Sequence, residues 1–226
     1  MRNLFKIKIL GCAAAAPTST RFTSSQIINY HNRYFLFDCA EGTQIQLRRY
    51  KIPMMKINNI FITHLHGDHY LGLLGLLSSY QLHGRLKDLH IFAPADLEKL
   101  LNLHFEISDV KLQYKIIFHA LNMDMPEEIY SDPYLSIETI IMKHSMPTCG
   151  FVIKEKKSPL KIKAELIEKY QIPVVQVKKI KQGADFVTAE GKLIANQELT
   201  IAPPSPRTYV FCSDTGYTES FLPQIM

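Results

Sequence analysis

The sequence contains no apolar run that approaches the roughly 20 residues needed to cross a bilayer, so we expect no membrane association. Its cysteines are few and widely spaced, which excludes a paired-cysteine zinc motif and gives no support to a disulfide framework. They are expected to be small buried hydrophobic residues: Cys12, Cys39, Cys149 and Cys212. The first ten residues alternate lysine with apolar side chains and lack the continuous apolar core of a signal peptide. A cytoplasmic location is therefore expected.

No internal repeat is present, and 226 residues with 46% hydrophobic content suffice for one large globular domain over residues 1–226. Strand-like runs are predicted at 4–10, 26–30, 33–38, 57–62, 89–93, 114–118, 135–141, 149–153 and 207–212. Helices are predicted at 41–50, 70–83, 95–102 and 160–170. This mixture indicates a layered α/β domain whose sheets are covered on the outside by helices.

The most informative segment is Thr63-His64-Leu65-His66-Gly67-Asp68-His69, which places three imidazoles and a carboxylate within six positions. A short apolar strand precedes it and a leucine-rich helical stretch follows it, so the donors lie at a strand-to-helix corner. Ligand sites in open α/β sheets form beyond the carboxyl ends of strands. The density and position of these donors predict a metal site.

The spacing of the donors is compatible with two metal ions. On an extended segment His64 and His66 point the same way, whereas Asp68 and His69 fall beyond the corner at the start of the helix. Imidazole and carboxylate without thiolate favour zinc, although this ligand type leaves manganese and iron open.

Three further polar residues follow apolar strands. They are Asp38 after 33–37, His144 after 135–141 and Asp214 after 208–213. Each has an alternative role as a turn or cap residue, but together with the histidine cluster they become candidate members of the same site.

One lysine-rich segment has the same net positive charge as the whole chain. Residues 154–192 hold ten lysines against five acidic residues, and the net charge of the chain is +5. A turn at Glu190-Gly191 between two short strand-like runs predicts a hairpin there, and residues 154–196 are interpreted as an inserted arm. Such lysines are often merely solvated. Beside a hydrolytic site they can instead contact backbone phosphates, and Lys178, Lys179 and Lys181 are the expected substrate-binding residues.

Two motifs carry a resemblance to a known family. The segment 63–69 resembles the metallo-β-lactamase superfamily, and Asp38-Cys39-Ala40-Glu41-Gly42-Thr43-Gln44 is similar to the corresponding motif of the ribonuclease Z branch. Leu10-Gly11, Pro17-Thr18 and the run 70–77 extend that similarity. The resemblance implies a four-layer αββα sandwich that carries a basic arm.

The resemblance also implies roles for individual residues. The family's metal ligands fall on six positions of this sequence: His64, His66 and His144 for one zinc ion, Asp68 and His69 for a second, and Asp214 as the bridge. Asp38 would orient a ligating histidine without touching metal, and Asp68 would also accept a proton during catalysis.

The implied activity is a zinc-dependent endoribonuclease that removes the 3′ trailer from precursor tRNA through a metal-activated water. It leaves a 3′-hydroxyl on the tRNA, and a homodimer is implied. Two alternatives stay open at this stage. One is a superfamily hydrolase of small esters or thioesters, and the other is a non-catalytic module that binds RNA or a partner protein.

The family pattern includes later motifs and a final zinc-binding histidine that this sequence does not contain, since no histidine follows His144. The arm also lacks the family's Gly-Pro-rich turn, because Ile172-Pro173 is followed by Val174-Val175. The expectation is that the 226 residues are a piece of a longer protein and that the second zinc site lacks one ligand. A genuinely short protein, or a site that a partner chain completes, would be consistent with the same sequence.

Overall fold

The computed structural model describes residues 4–225. The strands are β1 (Phe5–Gly11), β2 (Ser25–Tyr30), β3 (Arg33–Phe37), β4 (Ile57–Phe61), β5 (Leu89–Ala93), β6 (Ile116–Ala120), β7 (Glu128–Ser131), β8 (Leu135–Met142), β9 (Thr148–Glu155), β10 (Lys161–Ile162), β11 (Phe186–Val187), β12 (Leu193–Ile194), β13 (Thr200–Ile201) and β14 (Thr208–Phe211). The helices are α1 (Thr43–Arg49), α2 (Gly67–Tyr70), α3 (Gly72–Leu82), α4 (Asp96–Ile107), α5 (Ala164–Lys169), α6 (Val174–Lys181), α7 (Asn196–Leu199) and α8 (Leu222–Ile225), with a 3-10 turn at Met54–Lys56. In residues 4–225 no helix has both the length and the apolar character required to cross a bilayer.

The first sheet contains β1 to β6 in chain order. Strands β1, β2 and β3 are antiparallel neighbours, whereas β3, β4, β5 and β6 run parallel. His31 and Asn32 join β2 to β3 with φ values of 53° and 60°, the conformation that a tight two-residue hairpin requires. The parallel connections contain α1, α3 and α4, because parallel neighbours need a long crossover.

One face of this sheet is covered by helices. Leu36, Ile60 and Ile91 are fully buried there and belong to the same apolar cluster as Leu73 and Leu77 of α3. These side chains alternate along β3, β4 and β5 with residues of the opposite face, as the period of a strand requires. The burial fixes the register of the parallel strands and therefore the alignment of their carboxyl ends.

The other face is aromatic. Phe61 stacks on Phe37 and Phe92 at centroid separations of 4.8 and 4.7 Å, and Phe151 of β9 and Phe211 of β14 contact Phe37 from the second sheet. That sheet has the order β14-β9-β8-β7. A smaller apolar cluster on it includes partly buried side chains from α8 and the turn before it. The layers are helix, sheet, sheet and short helix, as expected.

The chain divides into two compact units. Of the described residues, unit 1 comprises 4–129, 137–152 and 210–225, and unit 2 comprises 130–136 and 153–209. Unit 2 has its own small core, whose buried members are Ile172, Ile180, Phe186, Ile194 and Leu199. The predicted hairpin is present, since β11 pairs with β12 and Gly191 adopts a φ of 82° in the turn.

Several element predictions inside and near unit 2 are wrong. A helix was predicted over 160–170, but residues 161–162 form β10 and pair with β13 before α5 begins at Ala164. Helix α6 was not predicted. Pro173 caps this helix with a φ of −62°, and proline is tolerated at a helix start because no intrahelical N–H bond is needed there. Strand β7 was also missed, since its short exposed sequence shows no clear alternation.

Candidate metal centre

The residues of the candidate site all belong to unit 1, and they lie beyond the carboxyl ends of four strands. Asp38 directly follows β3, the 63–69 motif follows β4, His144 follows β8 and Asp214 follows β14. His69 lies in α2, and α3 begins at Gly72 immediately afterwards. A Cβ atom at Gly72 would overlap the carbonyl group of Ala40, so only glycine allows the chain to turn this tightly beside the loop after β3.

Three imidazole rings converge on one point. The Nδ1 atom of His66 lies 3.2 Å from Nε2 of His64 and 3.2 Å from Nε2 of His144. A zinc ion bound tetrahedrally at Zn–N distances near 2.05 Å would separate its nitrogen ligands by roughly 3.3 Å. The arrangement therefore fits a zinc ion held by these three histidines.

A second group lies beside the first. His64, His69 and Asp214 offer ligand atoms that all lie within 4.8 Å of one another. Nε2 of His69 is 3.6 Å from Oδ2 of Asp214 and 3.7 Å from Oδ2 of Asp68. Asp214 Oδ2 is also 4.0 Å from His144 Nε2, so this carboxylate lies between the two groups. The side chain of Asp214 is 46% exposed, whereas that of Asp68 is 13% exposed and accepts a hydrogen bond from the Ala15 N–H.

Asp38 is fully buried and organises the site from behind. Its carboxylate accepts hydrogen bonds from the backbone N–H of Thr63 at 3.0 Å and from Ser24 Oγ at 2.8 Å. Nδ1 of His69 lies 2.6 Å from its Oδ2. Because a carboxylate can only accept, the His69 proton belongs on Nδ1, which leaves Nε2 available for a metal.

Thr63 was not among the predicted site residues, yet it joins the network. Its hydroxyl lies 3.0 Å from Asp38 Oδ1, 3.0 Å from Nδ1 of His64 and 2.9 Å from Oγ of Ser213. The single hydroxyl hydrogen is donated to the carboxylate, so the oxygen accepts from Ser213 and from His64 Nδ1–H. Nε2 of His64 is thereby also left free for a metal.

Adjacent histidines have pKa values shifted in opposite directions. Burial, followed by the charge of His69, lowers the pKa of His64 to about 4. Burial also acts to lower the pKa of His69, but the hydrogen bond and charge of Asp38, with the charges of Asp68 and Asp214, outweigh it and raise that pKa. His64 is therefore neutral at pH 7, whereas His69 retains a proton more readily when no metal is bound.

A cavity of about 430 Å³ opens over these groups. Its lining includes His66, Asp68, His144 and Asp214, together with Ala14, Pro17 and Glu41. This volume falls within the roughly 300–1,000 Å³ typical of ligand sites. The cavity gives a substrate access to His66, to His144 and to the carboxylates of Asp68 and Asp214.

The cysteines differ from expectation in one respect. Cys39 and Cys149 are fully buried, and burial raises the pKa of both thiols, so they remain protonated. Neither belongs to a candidate metal group within residues 4–225. Cys12 is exposed, so its assignment as a buried residue was wrong.

Comparison with curated relatives shows the family of this chain. The chain is 42% identical over 221 residues to ribonuclease Z of Phocaeicola vulgatus, an alignment that covers 98% of the chain and 72% of that protein. It is 43% identical to ribonuclease Z of Bacteroides thetaiotaomicron, with 98% of the chain and 70% of that protein covered. Residues 5–171 match the family model described as anti-Pycsar protein Apyc1. The chain belongs to the ribonuclease Z family and to the family that the Apyc1 model describes.

Solved structures confirm the predicted metallo-β-lactamase fold. The human short-form tRNase Z, ELAC1, superposes with a TM-score of 0.62 at 30% identity, covering 66% of this chain and 64% of that chain. The metallo-beta-lactamase fold protein YhfI of Bacillus subtilis has a TM-score of 0.52 at 22% identity, covering 66% and 58%. The second likeness concerns the fold alone.

Proposed function

We propose that this protein is a zinc-dependent endoribonuclease that removes the 3′ trailer from precursor tRNA and leaves a tRNA 3′-hydroxyl. The observation that carries the proposal is the convergence of three imidazole nitrogens beside carboxylates, with Nδ1 of His66 3.2 Å from each of the other two, in a chain of the ribonuclease Z family. The relatives align over 221 residues and therefore across Asp214 and α6, whereas the Apyc1 match ends at residue 171. The full-length likeness favours the RNA-cleaving function.

In this proposal His64, His66 and His144 would hold one zinc ion, Asp68 and His69 would hold a second, and Asp214 would serve both. Bound zinc would supply Lewis-acid stabilisation of the phosphate and a water of lowered pKa. The low pKa of His64 keeps its imidazole neutral and free to bind. The carboxylate of Asp38 holds the proton of His69 on the nitrogen that faces away from the cavity.

Asp68 is proposed as the proton acceptor. It lines the cavity, and the N–H of Ala15 fixes one of its carboxylate oxygens at 2.8 Å. A carboxylate fixed in this way can receive a proton from an attacking water and pass it toward the leaving oxygen.

The arm, residues 154–196, is proposed to bind the RNA. Lys178, Lys179 and Lys181 are exposed in the last turn of α6, within unit 2. Lysines in that position also interact favourably with the negative end of the helix dipole and so stabilise the helix, which is a purely structural reason for their presence. Phosphate contacts give them a second role, with an affinity that falls steeply as salt is added. A homodimer, a cytoplasmic location and zinc as the native metal belong to the same proposal.

The first experiment is elemental analysis of metal per purified chain, together with cleavage of a precursor tRNA that carries a 3′ trailer. The proposal expects zinc on the chain and a product that ends in a 3′-hydroxyl. Asp214→Ala should abolish cleavage and leave tRNA affinity within about twofold, because it removes a carboxylate 3.6 Å from His69 and nothing from the arm. Turnover of small esters without RNA cleavage would favour the alternative hydrolase. Metal-independent RNA binding without cleavage would favour a binding module.

The role of the arm needs a variant matched in charge. The triple reversal K178E/K179E/K181E should weaken tRNA binding by at least tenfold, and the salt dependence should become shallower. The control K87E/K111E/K115E changes the net charge equally at three exposed lysines of unit 1. Equal losses in both variants would remove the arm from the proposal.

A further inference from the structure

A second concentration of positive charge lies outside the arm. Residues 1–67 contain nine basic residues and only two acidic ones, Asp38 and Glu41, both of which lie at the metal centre. Residues 68–153 contain more acidic than basic residues, which is why the chain outside the arm is nearly neutral as a whole. The positive charge outside the arm is therefore concentrated in residues 1–67.

Part of this charge lines a small cavity in unit 1. Lys6 and Lys8 of β1, Lys51 after α1, and the rings of Tyr34 and Tyr50 surround a volume of about 180 Å³, and no acidic residue lines it. The Nζ atom of Lys8 lies 4.2 Å from the centroid of the Tyr50 ring. Among residues 4–225 none of the three lysines forms a salt bridge. We call this feature the Lys6–Lys51 pocket.

The pocket is separate from the metal centre. Tyr34 lies near the amino end of β3, and Lys51 belongs to the segment that leads into β4. The metal centre lies beyond the carboxyl ends of these two parallel strands. At about 3.3 Å per residue, the four residues from Tyr34 to Asp38 separate the two features by roughly 13 Å.

The chemistry of the pocket suits one nucleotide of a polymer. Ammonium groups neutralise phosphates, and a tyrosine face accepts a stacked base without regard to sequence. Tyr50 is 42% exposed, so its ring is accessible for such a contact. The cavity is smaller than the roughly 300–1,000 Å³ of a site for a whole small ligand. A chain of nucleotides that reaches the metal centre can place another nucleotide here.

We propose that the Lys6–Lys51 pocket binds an unpaired nucleotide of the RNA substrate, with its phosphate at Lys6 and Lys51 and its base against Tyr50. The inference rests on the proposed function, because it takes RNA as the substrate. It adds an RNA contact on unit 1 that is independent of the arm. This contact lies at the amino ends of β3 and β4, whereas the proposed cleavage site lies beyond their carboxyl ends.

The test measures binding of fluorescein-labelled precursor tRNA and of a short single-stranded oligouridine by anisotropy, with metal removed by EDTA. We expect K6E/K51E to bind both RNAs at least tenfold more weakly and to show a salt slope shallower by one to two. The control K111E/K115E reverses two exposed lysines elsewhere on unit 1 and should bind within about twofold of the wild type. Tyr50→Ala should bind oligouridine about tenfold more weakly, whereas Tyr50→Phe keeps the ring and should bind normally.

The inference is overturned if K6E/K51E binds like the wild type, if the control loses as much, or if the wild type binds neither RNA. It is also overturned if K6E/K51E loses binding only to anionic phospholipid vesicles. Circular dichroism melting checks that the variants are folded. Cleavage of precursor tRNA after zinc is restored tests the proposed function separately. If the wild type binds tRNA through the pocket but does not cut it, the inference about the pocket stands and the proposed nuclease activity is rejected.

Discussion

Asp38→Asn isolates the charge behind the metal centre. Asn has nearly the shape of Asp, and Asp38 has a φ of 53°, a left-handed conformation that Asn also tolerates. Neither the packing nor the backbone therefore needs to change. What changes is that one of two accepting oxygens becomes a donating amide nitrogen.

The surrounding donors decide how the new amide is oriented. If its nitrogen faced the N–H of Thr63, two donors would meet at 3.0 Å in a buried place, and such an unsatisfied pair costs about 1–3 kcal/mol. The amide oxygen should therefore face Thr63, and the nitrogen should face Nδ1 of His69. His69 must then accept at Nδ1 and carry its proton on Nε2, the atom that is needed to bind metal.

The expected result is a selective loss. Zinc affinity at the position of His64, His66 and His144 should stay as in the wild type, while zinc affinity at the His69 position should fall by about 10–100-fold, the usual cost of losing such an orienting partner. Zinc titration against a chromophoric chelator measures both sites. Ser24→Ala is the control, because it removes one hydrogen bond to Asp38 but keeps the carboxylate. Two zinc sites of wild-type affinity in Asp38→Asn would refute the tautomer argument.

Three further predictions concern stability and protonation. Arg85 is buried and donates to three backbone carbonyls, so Arg85→Gln should lower the free energy of unfolding by about 3 kcal/mol in urea titrations. Gly72→Ala should lower the free energy of unfolding by about 2 kcal/mol or more, because its Cβ would overlap a backbone carbonyl. The control Gly75→Ala should be tolerated, because its Cβ would only approach a flexible side chain at 3.4 Å. In metal-free protein, NMR should show His64 titrating near pH 4 and His69 above 6.5. His64 has a pKa near 6.5 in the unfolded chain and near 4 in the folded protein. The free energy of unfolding should therefore decrease as the pH falls between these values. Titration of His64 near 6.5 in the folded protein would contradict the burial argument.

The positions of the metal-site candidates were predictable because their residue types are informative by themselves. Imidazoles and carboxylates after apolar strands have few structural uses, and parallel strands bring their carboxyl ends to one edge of the sheet. That rule accounts for Asp38 and the 63–69 motif, which follow β3 and β4. His144 and Asp214 follow strands of the second sheet, and their residue types made them candidates before the structure placed them beside the motif.

The supporting network could not be predicted in the same way. Thr63, Ser24 and Ser213 are short polar residues of the kind found in every loop, and only the fold decides whose hydrogen bond each one satisfies. Ser213 lies 150 residues from Thr63 in the chain, yet its hydroxyl donates to Thr63 at 2.9 Å. No sequence pattern encodes such a pairing, because it depends on how β14 and β4 are placed in the two sheets.

The distribution of charge was the least predictable feature, because the near-zero net charge of the residues outside the arm conceals a basic and an acidic part. Arg48, Arg49 and Lys51 lie in or just after the last turn of α1, where the helix dipole favours cations, so the fold alone explains part of the basic surface. No helix terminus explains Lys6 and Lys8, which lie on β1. A strand offers them little electrostatic benefit, and within residues 4–225 no carboxylate pairs with them. Lys8 contacts the ring of Tyr50, whereas in the described part of the chain neither a helix terminus nor a carboxylate accounts for the charge of Lys6. Reversal of Lys6 should therefore weaken RNA binding while leaving stability nearly unchanged.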